Sequence, residues 1–234
     1  MTTMKPAMTF PANDFDQWAE TYDRDVLEPA RFPFAGYERV LQTVLRLAGT
    51  KPGMRVLDLG TGTGNLAALF LDAGCGVWGT DFSPLMLERA RQKLPGAIFV
   101  LHDLACPWPP ELELRFDRIV SAYVFHHFDL DRKISLLSGL VRQRLASGGK
   151  LIVADLSFPD AAAMQRFGAS LGDEWEEEYY WLADESGAAV RRAGLRATYE
   201  QVSECAGAYC IEDSGNAAAA ASLSNVDEAT GHRG

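Results

Sequence analysis

Apolar residues first recur at three- and four-residue spacing, then switch to short unbroken runs. Between Asp14 and Glu28, the residues Phe15, Trp18, Ala19 and Tyr22 fall on one helical face. A second helix is predicted from Phe34 to Ala48, where Tyr37, Val40, Leu41, Val44 and Leu47 form an amphipathic stripe. Gly49 and the Lys51-Pro52-Gly53 turn end it. The period then changes. Arg55 to Leu59 is a short apolar run ahead of a glycine turn, which reads as a strand buried on both faces. Similar runs follow at Gly76 to Thr80, Ala97 to Leu101, Asp117 to Tyr123 and Lys150 to Asp155. Helical stretches separate them. Pro84 to Leu94 has Ser83 as N-cap and proline at its first position. Ile134, Leu137, Val141 and Leu145 share a face before the last run. Strand and helix in alternation predict a mostly parallel sheet with right-handed crossovers and helices on both faces.

After Asp155 the alternation stops. Ala161 to Leu182 is predicted helical, and it is unusually acidic and aromatic. A short helix near Asp184 to Ala193 leads to Arg196–Ser203 and Ala208–Glu212, whose brief link predicts a closing antiparallel pair. The alanine-rich stretch beyond Asp213 reads as a disordered tail. The expected organisation is one α/β domain over 12–212, with an N-terminal helical cap, a helical insertion at about 158–183, and a tail over 213–234.

Composition narrows the partners more than the fold. A net charge of −10 over 234 residues opposes binding to phosphate backbones, and the basic residues cluster only as Arg132-Lys133 and Arg191-Arg192. Nucleic acid is therefore not expected as a substrate. Cys75, Cys106, Cys205 and Cys210 lack metal-ligand spacing, so reduced thiols and no metal are expected. With no signal-peptide pattern and no membrane-length apolar run, a cytoplasmic location is expected.

The strongest chemical signal is Val56-Leu57-Asp58-Leu59-Gly60-Thr61-Gly62-Thr63-Gly64-Asn65. A strand enters a turn of three alternating glycines and leaves as a helix. Such a corner lets a ligand approach backbone N–H groups at a helix start. The dinucleotide fingerprint G-x-G-x-x-G is the rival, but its third glycine position is occupied by Asn65. Asp81 ends the second run, where a carboxylate can accept from both hydroxyls of a ribose, and Asp103 follows the third.

The glycine pattern, with Asp58 two residues before Gly60, resembles motif I of class I methyltransferases on a Rossmann-like fold. From about Phe15 to Glu212 the chain resembles the bacterial YrrT-type methyltransferase family. The matching features are Trp18-Ala19-Glu20-Thr21-Tyr22-Asp23, Gly62 to Leu66, Tyr123 to Phe128 and Trp175 to Tyr180. The resemblance implies S-adenosylmethionine as cofactor and S-adenosylhomocysteine as product. It places Gly60, Asp81 and Asp103 against the cofactor, with Asp103 at the adenine amino group and Tyr22 closing over the methionine end. The wider implied set is Asp58, Thr61, Gly62, Gly64, Asn65, Phe82, Ser83, Met86, Leu104 and Ser121. Asp58 and Asp81 stand where relatives can carry Glu, which preserves the chemistry.

Methyl transfer is an in-line displacement needing alignment and exclusion of water. A base is required only if the acceptor starts as a protonated hydroxyl, amine or thiol. His126 and His127, after the fourth run, are candidates for it, and support of the turn into the next helix is the alternative. Leu171, Trp175, Tyr179 and Leu182 would form the core stripe of the insertion, leaving Tyr180 and Trp181, with Trp18, for a lid over the acceptor. Acidic and aromatic groups together suit a cationic acceptor. The expected function is methyl transfer to a small molecule. The alternatives are a protein that binds the cofactor or its product without transfer and, less consistent with the glycine spacing, a nicotinamide oxidoreductase. Oligomeric state, monomer or dimer, is left open.

Overall fold

A computed structural model of the protein describes residues 12–26 and 32–214. The elements are α1 (Ala12–Trp18), α2 (Tyr22–Asp25), α3 (Tyr37–Ala48), β1 (Arg55–Leu59), α4 (Asn65–Asp72), β2 (Gly76–Asp81), α5 (Pro84–Lys93), β3 (Ile98–Leu101), β4 (Phe116–Ala122), α6 (Leu130–Gln143), β5 (Leu145–Phe158), α7 (Ala161–Leu171), β6 (Trp181–Leu182), α8 (Ala183–Arg192), β7 (Leu195–Gln201) and β8 (Ala206–Asp213). The tail expected from residue 213 lies, beyond Ser214, outside the described residues.

The strands form one sheet in the order β3-β2-β1-β4-β5-β8-β7, with β6 paired to the far end of β5. The first five strands are parallel, β8 runs antiparallel to β5, and β7 is antiparallel to β8. This is the expected α/β sheet with an antiparallel closing pair. Successive residues within a strand serve opposite layers, as the pleat requires. Val56, Val120 and Ile152 pack with Val40, Val44 and Phe70 on one face. Leu57, Ile119 and Leu151 pack with Leu137 of α6 and Val190 of α8 on the other. Burial on both faces accounts for the unbroken apolar runs. The chain leaves β1 towards β2 and β3, then returns to place β4 on the other side of β1. That reversal opens a crevice at the carboxyl ends of β1 and β4.

Three boundaries differ from the periodic pattern. The first predicted helix is two. Asp25 accepts from Trp18 Nε1 at 2.9 Å and from Thr21 Oγ1 at 2.6 Å, which bends the chain back between α1 and α2. The second starts at Tyr37 because Gly36, with φ of 82°, holds its N-cap. Leu145 shares a buried face with Leu137 and Val141 but opens β5 rather than closing α6.

The insertion differs most. Helix α7 stops at Leu171, where Gly172 (φ 57°, ψ −121°) departs from helical geometry. Asp173 to Glu178 adds five like charges in six residues, which repel one another on a helix. After a short 3₁₀ turn at Gly172–Glu174 the chain runs irregularly to β6. Trp175 folds back over Gly168, where a Cβ would lie 2.9 Å from its ring. The stripe expected from Leu171 to Leu182 therefore does not exist.

Trp181, expected in a lid, is a core residue. It is fully buried, stacks near Tyr209 with centroids 4.9 Å apart, and donates its Nε1 proton to Asp155 Oδ2 at 3.2 Å. Its position follows from β6, which extends the sheet beside Ser157 and Phe158. Trp181→Ala is expected to lower the unfolding free energy by about 3–5 kcal/mol, measured by urea denaturation. A loss below about 1 kcal/mol would contradict the core assignment.

Candidate active site

β1 ends at Leu59, and the glycine corner turns the chain into α4. Gly60 has φ of 65°, and a Cβ there would sit 2.3 Å from Val124 Cγ2, so no side chain fits. Gly64, with φ of 87°, is the N-cap of α4. The Thr61 N–H donates to Thr80 O at 2.8 Å, tying the corner to β2.

At the end of β2, Asp81 links the two turns that frame the crevice. Its Oδ2 accepts from Gly62 N and its Oδ1 from Ser83 N, each at 2.9 Å. Burial pushes the Asp81 carboxyl upwards, against the pull of those N–H groups. Asp58, just below, is also buried and accepts from Thr61 Oγ1 at 2.7 Å. Burial, with the nearby Asp81 charge, takes its pKa to about 7. Two desolvated carboxylates thus lie at the mouth of the sheet, an arrangement that favours a cationic ligand.

The other expected cofactor residues fall around this corner. Ser83 caps α5, its Oγ accepting from Met86 N at 3.1 Å, and Met86 is buried beneath. Phe82 meets Phe15 edge-on at 5.1 Å between centroids. Asp103 lies in the loop after β3, its Oδ1 holding Ala105 N at 2.8 Å, and Leu104 beside it is buried. Ser121, at the end of β4, gives its hydroxyl proton to Leu59 O at 2.9 Å across the strand gap. Asn65 is engaged by the N-terminal cap, its amide donating to Asp23 at 3.0 Å and its carbonyl accepting from Lys93 at 2.7 Å.

That cap is held by two carboxylates absent from the sequence-based set. Asp16 on α1 accepts from the Ser83 hydroxyl at 2.5 Å and from Leu85 N at 3.3 Å. Asp23 on α2 accepts from Thr63 Oγ1 and pairs with Lys93 at 2.7 Å. Both pin α1 and α2 across the corner, leaving Tyr22 Cε1 4.0 Å from where a Gly62 Cβ would project. Asp23 follows Tyr22 in the quoted aromatic motif, and only the fold reveals its partners.

A second cavity, of about 620 Å³, adjoins this corner. It is lined by Trp18, Tyr22 and Phe34 from the N-terminal part, Tyr123, His126 and His127 after β4, and Glu174, Glu176, Glu178 and Tyr180 from the segment after α7. Of the three expected lid residues, Trp18 and Tyr180 border it. Tyr123 holds a left-handed backbone (φ 59°), rare for a tyrosine, with its ring stacked on Tyr37 at 5.6 Å. His126 and His127 form a 3₁₀ turn with Phe125. His126 Nδ1 is 2.6 Å from Asp155 Oδ1, and its backbone N–H donates to Asp155 Oδ2 at 2.8 Å. Burial alone would raise the Asp155 carboxyl, but His126 and the ammonium of Lys133 hold it below the usual carboxylate range. His127 lies 3.6 Å from Glu178, and burial pushes its pKa down. Lys133 is buried, lowering its pKa to about 8, and its ammonium lies over the Trp181 ring while donating to Tyr179 O. Asp155, Lys133 and Glu178 escaped the sequence reading because each pairs with residues more than twenty positions away.

Residues 56–149 match the family model described as a methyltransferase domain. The chain is 38% identical over 200 residues to an uncharacterized methyltransferase of Geobacillus kaustophilus, covering 80% of this chain and 89% of the relative. It is 34% identical over 176 residues to the uncharacterized methyltransferase YrrT of Bacillus subtilis, covering 73% and 78% respectively. Among solved structures, a DhpI complex with SAM and HEP aligns with a TM-score of 0.69 at 20% identity, over 90% of this chain and 100% of that one. Magnesium protoporphyrin IX methyltransferase from Synechocystis with bound SAH aligns at 0.63 and 18% identity, over 86% and 97%. Among the described residues no helix is long and apolar enough to cross a membrane. With the glycine corner and Asp81 in the geometry above, the chain belongs to the YrrT-type family of class I methyltransferases, and its cofactor is S-adenosylmethionine.

Proposed function

We propose that the enzyme methylates a small molecule bound in the cavity between the N-terminal cap and the 174–180 segment. On this reading the cofactor lies across the carboxyl ends of β1, β2 and β3. Its ribose hydroxyls donate to Asp81, its adenine lies by Asp103 and Leu104, and its methionyl arm rests on Gly60 and Gly62 beneath Tyr22. The observation that carries the reading is the position of Tyr22, which borders both the glycine corner and the cavity. A methyl group leaving the corner would face that cavity directly. The volume of about 620 Å³ suits a metabolite. Its carboxylate-rich wall, with Asp25, Glu174, Glu176 and Glu178, opposes a polyanion such as RNA.

The chain's own contribution to transfer is alignment and dryness. The aromatic walls exclude water, so the sulfonium charge is not screened as it is lost to the neutral thioether. The buried carboxylates Asp58 and Asp81 stabilise the cation while it waits.

Incubation with labelled S-adenosylmethionine and a fractionated bacterial extract tests the acceptor class directly. Label is expected in the low-mass fraction and lost in Tyr180→Ala. Label confined to protein or RNA would contradict a small acceptor. On the cofactor side, Asp81→Ala removes two charge-assisted hydrogen bonds and is expected to weaken S-adenosylhomocysteine binding about 10–100-fold by calorimetry. Unchanged affinity would sink the ribose assignment.

The raised carboxyls also give a pH signature. A carboxyl raised in the free enzyme must lose its proton to attract a cation, so binding is favoured as pH rises through that value. The ionisable groups facing Asp58 and Asp81 include Asp16 on α1, Tyr22 on α2 and Tyr37 on α3. S-adenosylmethionine affinity is expected to increase between about pH 5.5 and 7.5, and Asp58→Asn to flatten the slope. A slope identical in the variant would contradict the role of Asp58.

A further inference from the structure

We infer that His126, His127 and Glu178 form a binding site for a divalent transition-metal ion of the zinc type in the wall of the acceptor cavity. One ligand atom from each residue lies within 4.8 Å of the others. Glu178 Oε2 is 3.6 Å from His127 Nδ1, close to the roughly 3.4 Å between two ligands held tetrahedrally by one zinc ion at about 2.1 Å. That oxygen is buried and faces the His127 ring.

The support behind the three residues matches what a metal ligand needs. The Nδ1 of His126 is taken by Asp155 at 2.6 Å, which fixes the ring and leaves Nε2 as the ligating atom. A carboxylate on the remote nitrogen of a ligating histidine is the usual second layer of a metal site. Glu178 is brought to the histidines by the backbone on its far side. The Tyr179 N–H donates to His126 O at 3.0 Å, and Lys133 Nζ donates to Tyr179 O. The Lys133 ammonium is engaged by that carbonyl and also feels the charges of Asp155 and Glu178.

Two histidines and one carboxylate leave coordination positions open, the hallmark of a catalytic rather than a closed structural site. All three residues line the cavity, so the open side faces the acceptor. A hydroxyl or thiol of the acceptor bound there would lose its proton to solvent at lower pH than in water. Its lone pair then forms the new bond to the methyl carbon, while the electron pair of the broken C–S bond stays on sulfur as the neutral thioether. This chemical role rests on the cavity being the acceptor site; metal binding itself does not. None of the cysteines takes part, so their spacing gave no sign of it.

The test is calorimetric titration of the chelator-treated full chain with zinc, with magnesium as control. One zinc per chain is expected, with little heat from magnesium. Glu178→Gln and His127→Ala are expected to weaken zinc binding at least ~30-fold, and Asp155→Asn ~10–100-fold. Cobalt substituted for zinc should show visible absorption of low coordination number, lost in Glu178→Gln. No stoichiometric zinc in the wild type would overturn the proposal. So would unchanged zinc affinity in Glu178→Gln and His127→Ala variants whose melting temperatures match the wild type. S-adenosylhomocysteine binding by the same preparations reports on the cofactor side separately, so failure of the metal site and failure of the methyltransferase reading give different results.

Discussion

The site depends on a single carboxylate doing two backbone jobs at once. Asp81 holds Gly62 N and Ser83 N at 2.9 Å each, so the corner after β1 and the start of α5 are fixed relative to one another. A carboxylate in that position is costly because it is buried. The backbone N–H groups offset part of that cost. The same group therefore orders both turns at the mouth of the sheet.

The N-terminal helices extend this logic. Asp16 and Asp23 fasten α1 and α2 to the caps of α5 and α4, through Ser83, Thr63, Asn65 and Lys93. Tyr22 and Trp18, with ring centroids 4.7 Å apart, are thereby brought over the corner as one aromatic wall. On the far side, Asp155 plays the part that Asp81 plays at the glycine corner. Fully buried at the end of β5, it accepts from His126, Leu156 and Trp181. One core carboxylate thus aligns the histidine turn, the end of the sheet and the strand that carries the acidic segment back into the fold.

Much of this was legible because the sheet is buried on both faces. The first strand matched to the residue, since its apolar run is bounded by glycines that only a turn explains. The Ser83 cap was equally visible, being set by local chemistry. The insertion was not. Its aromatic residues recur at helical spacing, but Gly172 and the run of glutamates break the helix, and the true partner of Trp181 is a core carboxylate 26 residues earlier. Periodicity reports which residues are apolar; it does not report what they pack against once the chain leaves regular structure. The same blindness hid Asp16, Asp23 and Glu178, whose importance comes wholly from partners distant in sequence.

The most direct measurement is a crystal structure of the enzyme with S-adenosylhomocysteine. The expected result is an adenosine across the ends of β1 to β3, with both ribose hydroxyls within hydrogen-bond distance of Asp81 and the thioether sulfur turned towards the cavity beside Tyr22. A nucleoside bound elsewhere, or a ribose that makes no contact with Asp81, would contradict it.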